Sequence, residues 1–356
     1  MDKTSSRIPA LDGLRGLAIL LVVLFHAYAR WPQYIPWATE YKEFPLFKYG
    51  NLGVELFFLI SGFVIYMTLG KCHSYGEFIF KRWLRLFPAM LISTIAIYLA
   101  SHFLIERPGG VPKFVDLLVG VSFIDTHLFT KIIGASASPI EGSFWSLFVE
   151  VKFYLIFGGL YFFTKRYAIY IFITLFLLNF FYAFGIQVYP PLEKAKISYL
   201  FFDFLSLNYF GWFAMGALIF LAYTEGNKKF ILLSLLLLPP TVYLAVGPNL
   251  GAVTTCVLIY LAFVFSLFSK IGAKIAESKI LIFIGFISYP LYLIHESSMV
   301  AFTIKTHNQF PSLPDILTPW PGIFLLTLTA YLIAKYAEPF LRKTILLTLG
   351  KHSTAY

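Results

Sequence analysis

Three stretches put polar or ionisable side chains where an apolar chain would exclude them. The first is Asp12-Gly-Leu-Arg15-Gly, which leads into LRGLAILLVVLFHAYAR at 14–30, where His26 interrupts a run of Leu, Val, Ile, Ala and Phe. The second is Lys81-Arg82-Trp83-Leu84-Arg85, and the third is Ser143-Phe144-Trp145-Ser146-Leu147-Phe148-Val149-Glu150. At 1.5 Å per residue His26 lies roughly 18 Å along a helix axis from Leu14, in the far half of a hydrocarbon core about 30 Å thick. A charge at that depth is costly, and imidazole exchanges protons near neutral pH, so His26 is a functional candidate. The competing reading makes it a contact between helices, held by one hydrogen bond.

The whole composition demands such helices. Of 356 residues, 59% are hydrophobic and 13% charged, where soluble domains carry about 25% charged residues. This is the balance of a polytopic membrane protein. The net charge of +10 is spread between apolar segments in the manner of membrane topology, which argues against a nucleic-acid partner. Cys72 and Cys256 have no C-x-x-C partner, so neither a disulfide scaffold nor a metal site is expected.

Apolar runs of spanning length fall at about 14–30, 52–70, 84–104, 144–164, 167–187, 199–223, 230–246, 250–269, 280–303 and 320–341. The expected fold is an all-α bundle of about ten transmembrane helices in one membrane domain covering 1–356. The sixth run is interrupted by Asp203 and Asn208, and its first third reads as a separate turn. Lys165 and Arg166 leave so short a connection that the fourth and fifth helices must form a tight antiparallel hairpin. Lys3, an apolar run and Ala27-Tyr28-Ala29 imitate a signal peptide, but Asp12 and Arg15 break the approach to the run, which reads as an uncleaved first helix. From Lys3 to Lys351, the loops on the N-terminal side hold roughly twice the Lys and Arg of the other side, which places both termini in the cytoplasm. Residues 105–143, with Pro-Gly-Gly and GASASP, read as a long outer segment that could dip into the membrane as a lid.

With these stretches in view, IPALDGLRGLAIL, GVELFFLISGFVI, KRWLRLFPA, SFWSLFVEVKFYL and SYPLYLIHE resemble, in that order, the membrane acyltransferase family 3. The likeness runs along nearly the whole chain. It implies a multi-pass enzyme of the cell (cytoplasmic) membrane that takes an acyl group, commonly acetyl, from cytoplasmic acetyl-CoA. The acceptor implied is a hydroxyl of a cell-envelope polysaccharide or glycolipid. Some members carry a further soluble domain, which is not expected here.

The same resemblance implies roles. Coenzyme A is an anion, and Arg82 and Arg85, three apart on one helical face, could grip its phosphates, with Arg15 as a further contact. Positive-inside anchoring would also account for them. His26 would be the general base that strips the acceptor hydroxyl. Its second nitrogen needs an orienting partner, for which Glu150 and Glu55 are the candidates, Glu150 foremost because it lies deeper. His295, in YLIHE, could join the same cavity or be a satisfied core histidine. Trp145 and Tyr292 would suit stacking on a sugar ring, as they would suit an interfacial aromatic belt.

Several devices are missing. No histidine has an aspartate five positions later, and there is no H-E-x-x-H, P-loop or G-x-S-x-G. Covalent serine and metal mechanisms are disfavoured. The rival from another class is a transporter or flippase in which His26, Glu150 and Glu55 form a relay.

Overall fold

The computed structural model describes residues 7–134, 136–194 and 196–350. Lys3, Lys351 and the side chain of Asp203 lie outside that description. Every regular element among the described residues is helical. The main helices are α1 (Pro9–Tyr28), α2 (Gly53–Leu69), α3 (Tyr75–Ser101), α4 (Phe114–Ser122), α5 (Thr126–Ile133), α6 (Trp145–Thr164) and α7 (Ala168–Val188). They continue as α8 (Phe210–Glu225), α9 (Lys229–Val246), α10 (Leu250–Phe268), α11 (Lys270–Ala276), α12 (Lys279–Ile294), α13 (Glu296–Gln309), α14 (Trp320–Leu332) and α15 (Glu338–Thr348).

Among the described residues, eight helical stretches are long and apolar enough to cross a bilayer, or nine when α12 and α13 count as one bent span. Their outward faces are apolar: Phe163 is 89% and Phe324 72% exposed. Such surfaces are stable against lipid tails rather than water. The 47-residue stretch Gly142–Val188 holds two of these helices. Phe172 of α7 lies 5.4 Å from Phe153 and 5.0 Å from Phe157 of α6, whereas one straight helix would separate these pairs by roughly 22–28 Å. The chain therefore doubles back, and it does so at Lys165, whose φ is 52°.

Two segments differ from the sequence expectation. The third helix begins at Tyr75 rather than at 84, so Arg82 and Arg85 sit two turns inside a 27-residue helix. That helix is about 40 Å long, which exceeds the hydrocarbon thickness and lets its first turns stand at the rim. The run at 280–303 is two helices, α12 and α13, bent by 83° at His295. Segment 105–143 contains two helices, α4 and α5. The 199–223 run breaks into a π-helical turn at Tyr199–Phe204 and a 3-10 turn at Leu207–Tyr209 before α8, with Ser206 at φ 58°.

The contacts divide the chain into two compact units. The first, up to Arg15 and over 54–80 and 149–282, is packed with aromatic rings. Phe153 stacks on Phe157 at 5.2 Å and on Phe213 at 4.1 Å, and Phe172 stacks on Phe210 at 4.5 Å. Where α2 meets α8 the backbones nearly touch: a Cβ on Gly62 would strike the Phe213 carbonyl, and one on Gly216 the Leu59 carbonyl. Small residues are what bring membrane helices that close. The second unit comprises 16–53, 81–148 and 283–356. It holds most of α1, α3 from Lys81, α4, α5, α12 from Phe283 and α13 to α15.

Replacing Gly62 or Gly216 by Ala should each cost about 1–3 kcal/mol, as overpacking does. The double variant should cost less than the sum, because both report one contact. Thermal unfolding of the purified protein in detergent measures this, and strict additivity would show that the two glycines act independently.

Candidate active site

In the second unit, the end of α1 meets the break between α12 and α13. His26 is the third residue from the C-terminal end of α1, and its Nδ1 lies 2.9 Å from the Val22 carbonyl one turn back. A carbonyl only accepts, so Nδ1 carries the proton in the neutral ring and Nε2 holds the lone pair. His295 obeys the same logic. Its Nδ1 is 2.9 Å from the Tyr292 carbonyl, and its Nε2 lies 3.2 Å from His26 Nδ1, where it can only share the one N–H that also meets the Val22 carbonyl. The two rings meet edge to face, 4.8 Å between centroids.

His26 Nε2 faces a carboxylate, Glu296 Oε1, at 3.5 Å. Of the three side chains, only His26 keeps a measurable opening: 10% of it is exposed, against 3% of Glu296, and His295 is fully buried. Such an arrangement suits a base: a tautomer set by a carbonyl and a neighbouring carboxylate able to stabilise an imidazolium.

Glu296 is held in place by the chain entering α6. Its Oε2 accepts the Ser143 N–H at 2.5 Å, in the 3-10 turn that starts α6. Gly142 makes room for it, because a Cβ there would come within 2.9 and 3.0 Å of the two carboxylate oxygens. The favour is returned. Glu141 Oε2 accepts the Ser297 N–H at 3.0 Å, in the first turn of α13. Each carboxylate thus caps the helix that the other precedes, where exposed N–H groups and the helix dipole favour an anion.

The second carboxylate brings its own cation. Arg107 Nη2 lies 2.7 Å from Glu141 Oε1 and donates to the Ile140 carbonyl at 3.1 Å, while Nη1 donates to the Gly110 carbonyl at 3.1 Å. Both side chains of this pair are completely buried. Tyr292 completes the joint: its hydroxyl donates to the Ser143 carbonyl at 2.9 Å and lies 2.7 Å from Ser146 Oγ.

His26, His295 and Tyr292 therefore come together, with Tyr292 buried and hydrogen-bonded rather than presenting a free ring. Trp145, in the same unit, is 40% exposed. Glu150 and Glu55 belong to the first unit. Glu150 Oε1 there accepts from Ser61 Oγ at 2.5 Å and Tyr154 Oη at 2.6 Å, and Glu55 is buried with Oε2 unpartnered. Arg15 pairs with Asp12 on its own helix at 3.1 Å. Arg82 and Arg85 lie on α3, where Arg85 pairs with Glu338 at 3.3 Å. Sequence reasoning passed over Glu296, Glu141 and Arg107. The signal for Glu296 was present, because a His–Glu pair in the middle of an apolar run is hard to reconcile with an unbroken span.

The family model described as an acyltransferase domain, that of acyltransferase family 3, matches residues 8–336. The peptidoglycan O-acetyltransferase OatA of Listeria monocytogenes is 26% identical over 167 residues, which are 42% of this chain and 23% of that protein. A Staphylococcus aureus protein with an inferred O-acetyltransferase name is 26% identical over 164 residues, 42% of this chain and 24% of its own length. The chain thus spans less than a quarter of either. A protein of Acidianus two-tailed virus with an inferred acetyltransferase name is 26% identical over 297 residues, 81% of this chain and 82% of that protein. No solved structure matches the chain.

Truncating Arg107 to Met would leave Glu141 as an uncompensated buried charge and should cost about 3–5 kcal/mol. Adding Glu141→Gln removes the charge yet keeps an acceptor for the Ser297 N–H, so the double variant should recover part of that stability. Melting temperatures in detergent check this, and a double variant no more stable than Arg107→Met would mean that the charge is not what the pair neutralises.

Proposed function

Because this chain belongs to acyltransferase family 3, we propose that it is a membrane O-acyltransferase of the cell membrane that moves an acyl group, acetyl first of all, from cytoplasmic coenzyme A to a hydroxyl of a cell-envelope polysaccharide or glycolipid. The observation that carries this reading is His26, with its tautomer fixed by the Val22 carbonyl and its Nε2 facing Glu296. Nε2 takes the proton of the acceptor hydroxyl as its oxygen attacks the thioester carbonyl. Glu296 stabilises the imidazolium so formed. The C–S bond breaks, the acyl group stays on the acceptor oxygen, and the coenzyme A thiolate leaves and recovers the proton from His26. The reading gives the orienting role to Glu296 and His295 in place of Glu150 and Glu55.

The donor end of the reading rests on Arg82 and Arg85 at the rim of α3, where guanidinium groups could hold phosphates while the pantetheine arm runs inward. Trp145, partly exposed at the start of α6, is suited to stack on a sugar ring.

His26→Ala should lower transfer from acetyl-CoA by about 10²- to 10⁴-fold, the usual worth of a general base. Glu296→Gln keeps an acceptor for the Ser143 N–H but removes the charge beside Nε2, so it should lower kcat with little effect on the KM for the donor. Transfer by the purified protein to an added glycan acceptor is the assay, and wild-type turnover by the His26 variant would remove the histidine from the mechanism. In sealed vesicles of known orientation, acetyl-CoA on the cytoplasmic face should label an acceptor confined to the opposite face. Labelling only when the two share a compartment would place the acylation before export.

A further inference from the structure

A second charged cluster in the same unit plays no part in the proton chemistry above. Glu338 opens α15, Arg342 follows one turn later, and Arg85 reaches them from α3. Arg85 Nη1 at 3.3 Å and Arg342 Nη2 at 2.8 Å converge on one atom, Glu338 Oε1. The Arg85 guanidinium also lies 5.5 Å over the Tyr289 ring, and the Tyr289 hydroxyl donates to the Leu86 carbonyl at 3.0 Å, which ties α12 to α3 beside the cluster.

The donors outnumber the acceptors here. Two guanidinium groups offer ten N–H donors and two positive charges, against a single carboxylate. Arg342 Nε is buried without a hydrogen-bond partner. The arginines are nonetheless within reach of solvent, with 42% of the Arg85 side chain and 28% of Arg342 exposed against 10% of Glu338. An anion with more oxygens and more charge than a carboxylate would satisfy this pair better, and a phosphate is such an anion.

We propose that Arg342 and Arg85 together form a phosphate site for the acyl-CoA donor, in which Glu338 is an internal anion that holds the two guanidinium groups in place until a donor phosphate displaces it. The proposal rests on the donor reading above and adds to it a residue from the far end of the chain and a competitor built into the fold. Glu338 offsets the repulsion that would push the two guanidinium groups apart, at the cost of some donor affinity. The two kinds of residue must then act with opposite sign.

Coenzyme A itself is the probe, titrated into the purified full-length protein in detergent and read by calorimetry, with inorganic pyrophosphate as competitor. Arg342→Ala should raise the Kd by about 10- to 100-fold, the range for a lost charged hydrogen bond. Arg342→Lys should restore only part, since a point charge lacks the fork. Glu338→Gln keeps the side-chain shape and should lower the Kd. If Arg342→Ala does not fold, Arg342→Gln gives the same reading. Arg342 variants that bind like wild type while Arg82→Ala and Arg85→Ala weaken binding would overturn this proposal and spare the donor reading. If all three arginines can be replaced without effect, the donor reading fails as well. A folded Glu338→Gln protein that binds coenzyme A more weakly would show that the carboxylate supports the site rather than competing for it.

Discussion

Two carboxylates exchange backbone amides across the break between α12 and α13 and the start of α6. A span bent by 83° leaves N–H groups at the start of α13 that no turn of helix can satisfy, and the hydrocarbon region supplies no water to do so. Glu141 meets that need at Ser297, while Glu296 meets the matching need at Ser143. The chemistry follows from the same exchange. Once Glu296 is fixed through one oxygen, its other oxygen stands 3.5 Å from His26.

Charge balance then explains the remaining members of the cluster. Two buried carboxylates require two positive charges, and Arg107 supplies a permanent one to Glu141. Beside Glu296 stands an imidazole, His26, in place of a permanent cation. A permanent cation beside Glu296 would give the same charge balance but no base. The structure thus separates a permanent ion pair, Arg107–Glu141, from the contact of Glu296 with an imidazole.

Lipid contact imposes the opposite economy elsewhere. The first unit carries stacked aromatic rings and close backbone approaches at glycines, among them the crossing of α2 and α8 through Gly62 and Gly216. Packing of this kind needs no directional polar contact, which suits a scaffold whose outer faces meet hydrocarbon. In the second unit, charged side chains gather at the helix break and in the cluster of Arg85, Arg342 and Glu338. There, charged groups are satisfied by each other.

The sequence by itself determined the membrane class and the helical content and singled out His26 as a candidate, because apolar run length and an ionisable residue within a run are local properties. It determined the hairpin at Lys165 as well, since two residues cannot connect spans in any other way. The partner of His26 was a different matter. Depth counted along separate helices ranked Glu150 and Glu55, but which carboxylate faces an imidazole depends on helix rotation and packing, which no count along the chain contains. Glu296 could not be placed while 280–303 read as one continuous helix, for in a straight span it would be one more residue on a face. Only the bend, stabilised by Glu141 and Arg107 from 105–143, turned it toward α1. Ser143, Gly142 and Ser297 take part through backbone atoms or a missing Cβ, and such roles leave almost no trace in residue type. The meeting of Arg85 with Arg342 joins positions 257 apart in sequence, an encounter that tertiary packing alone decides.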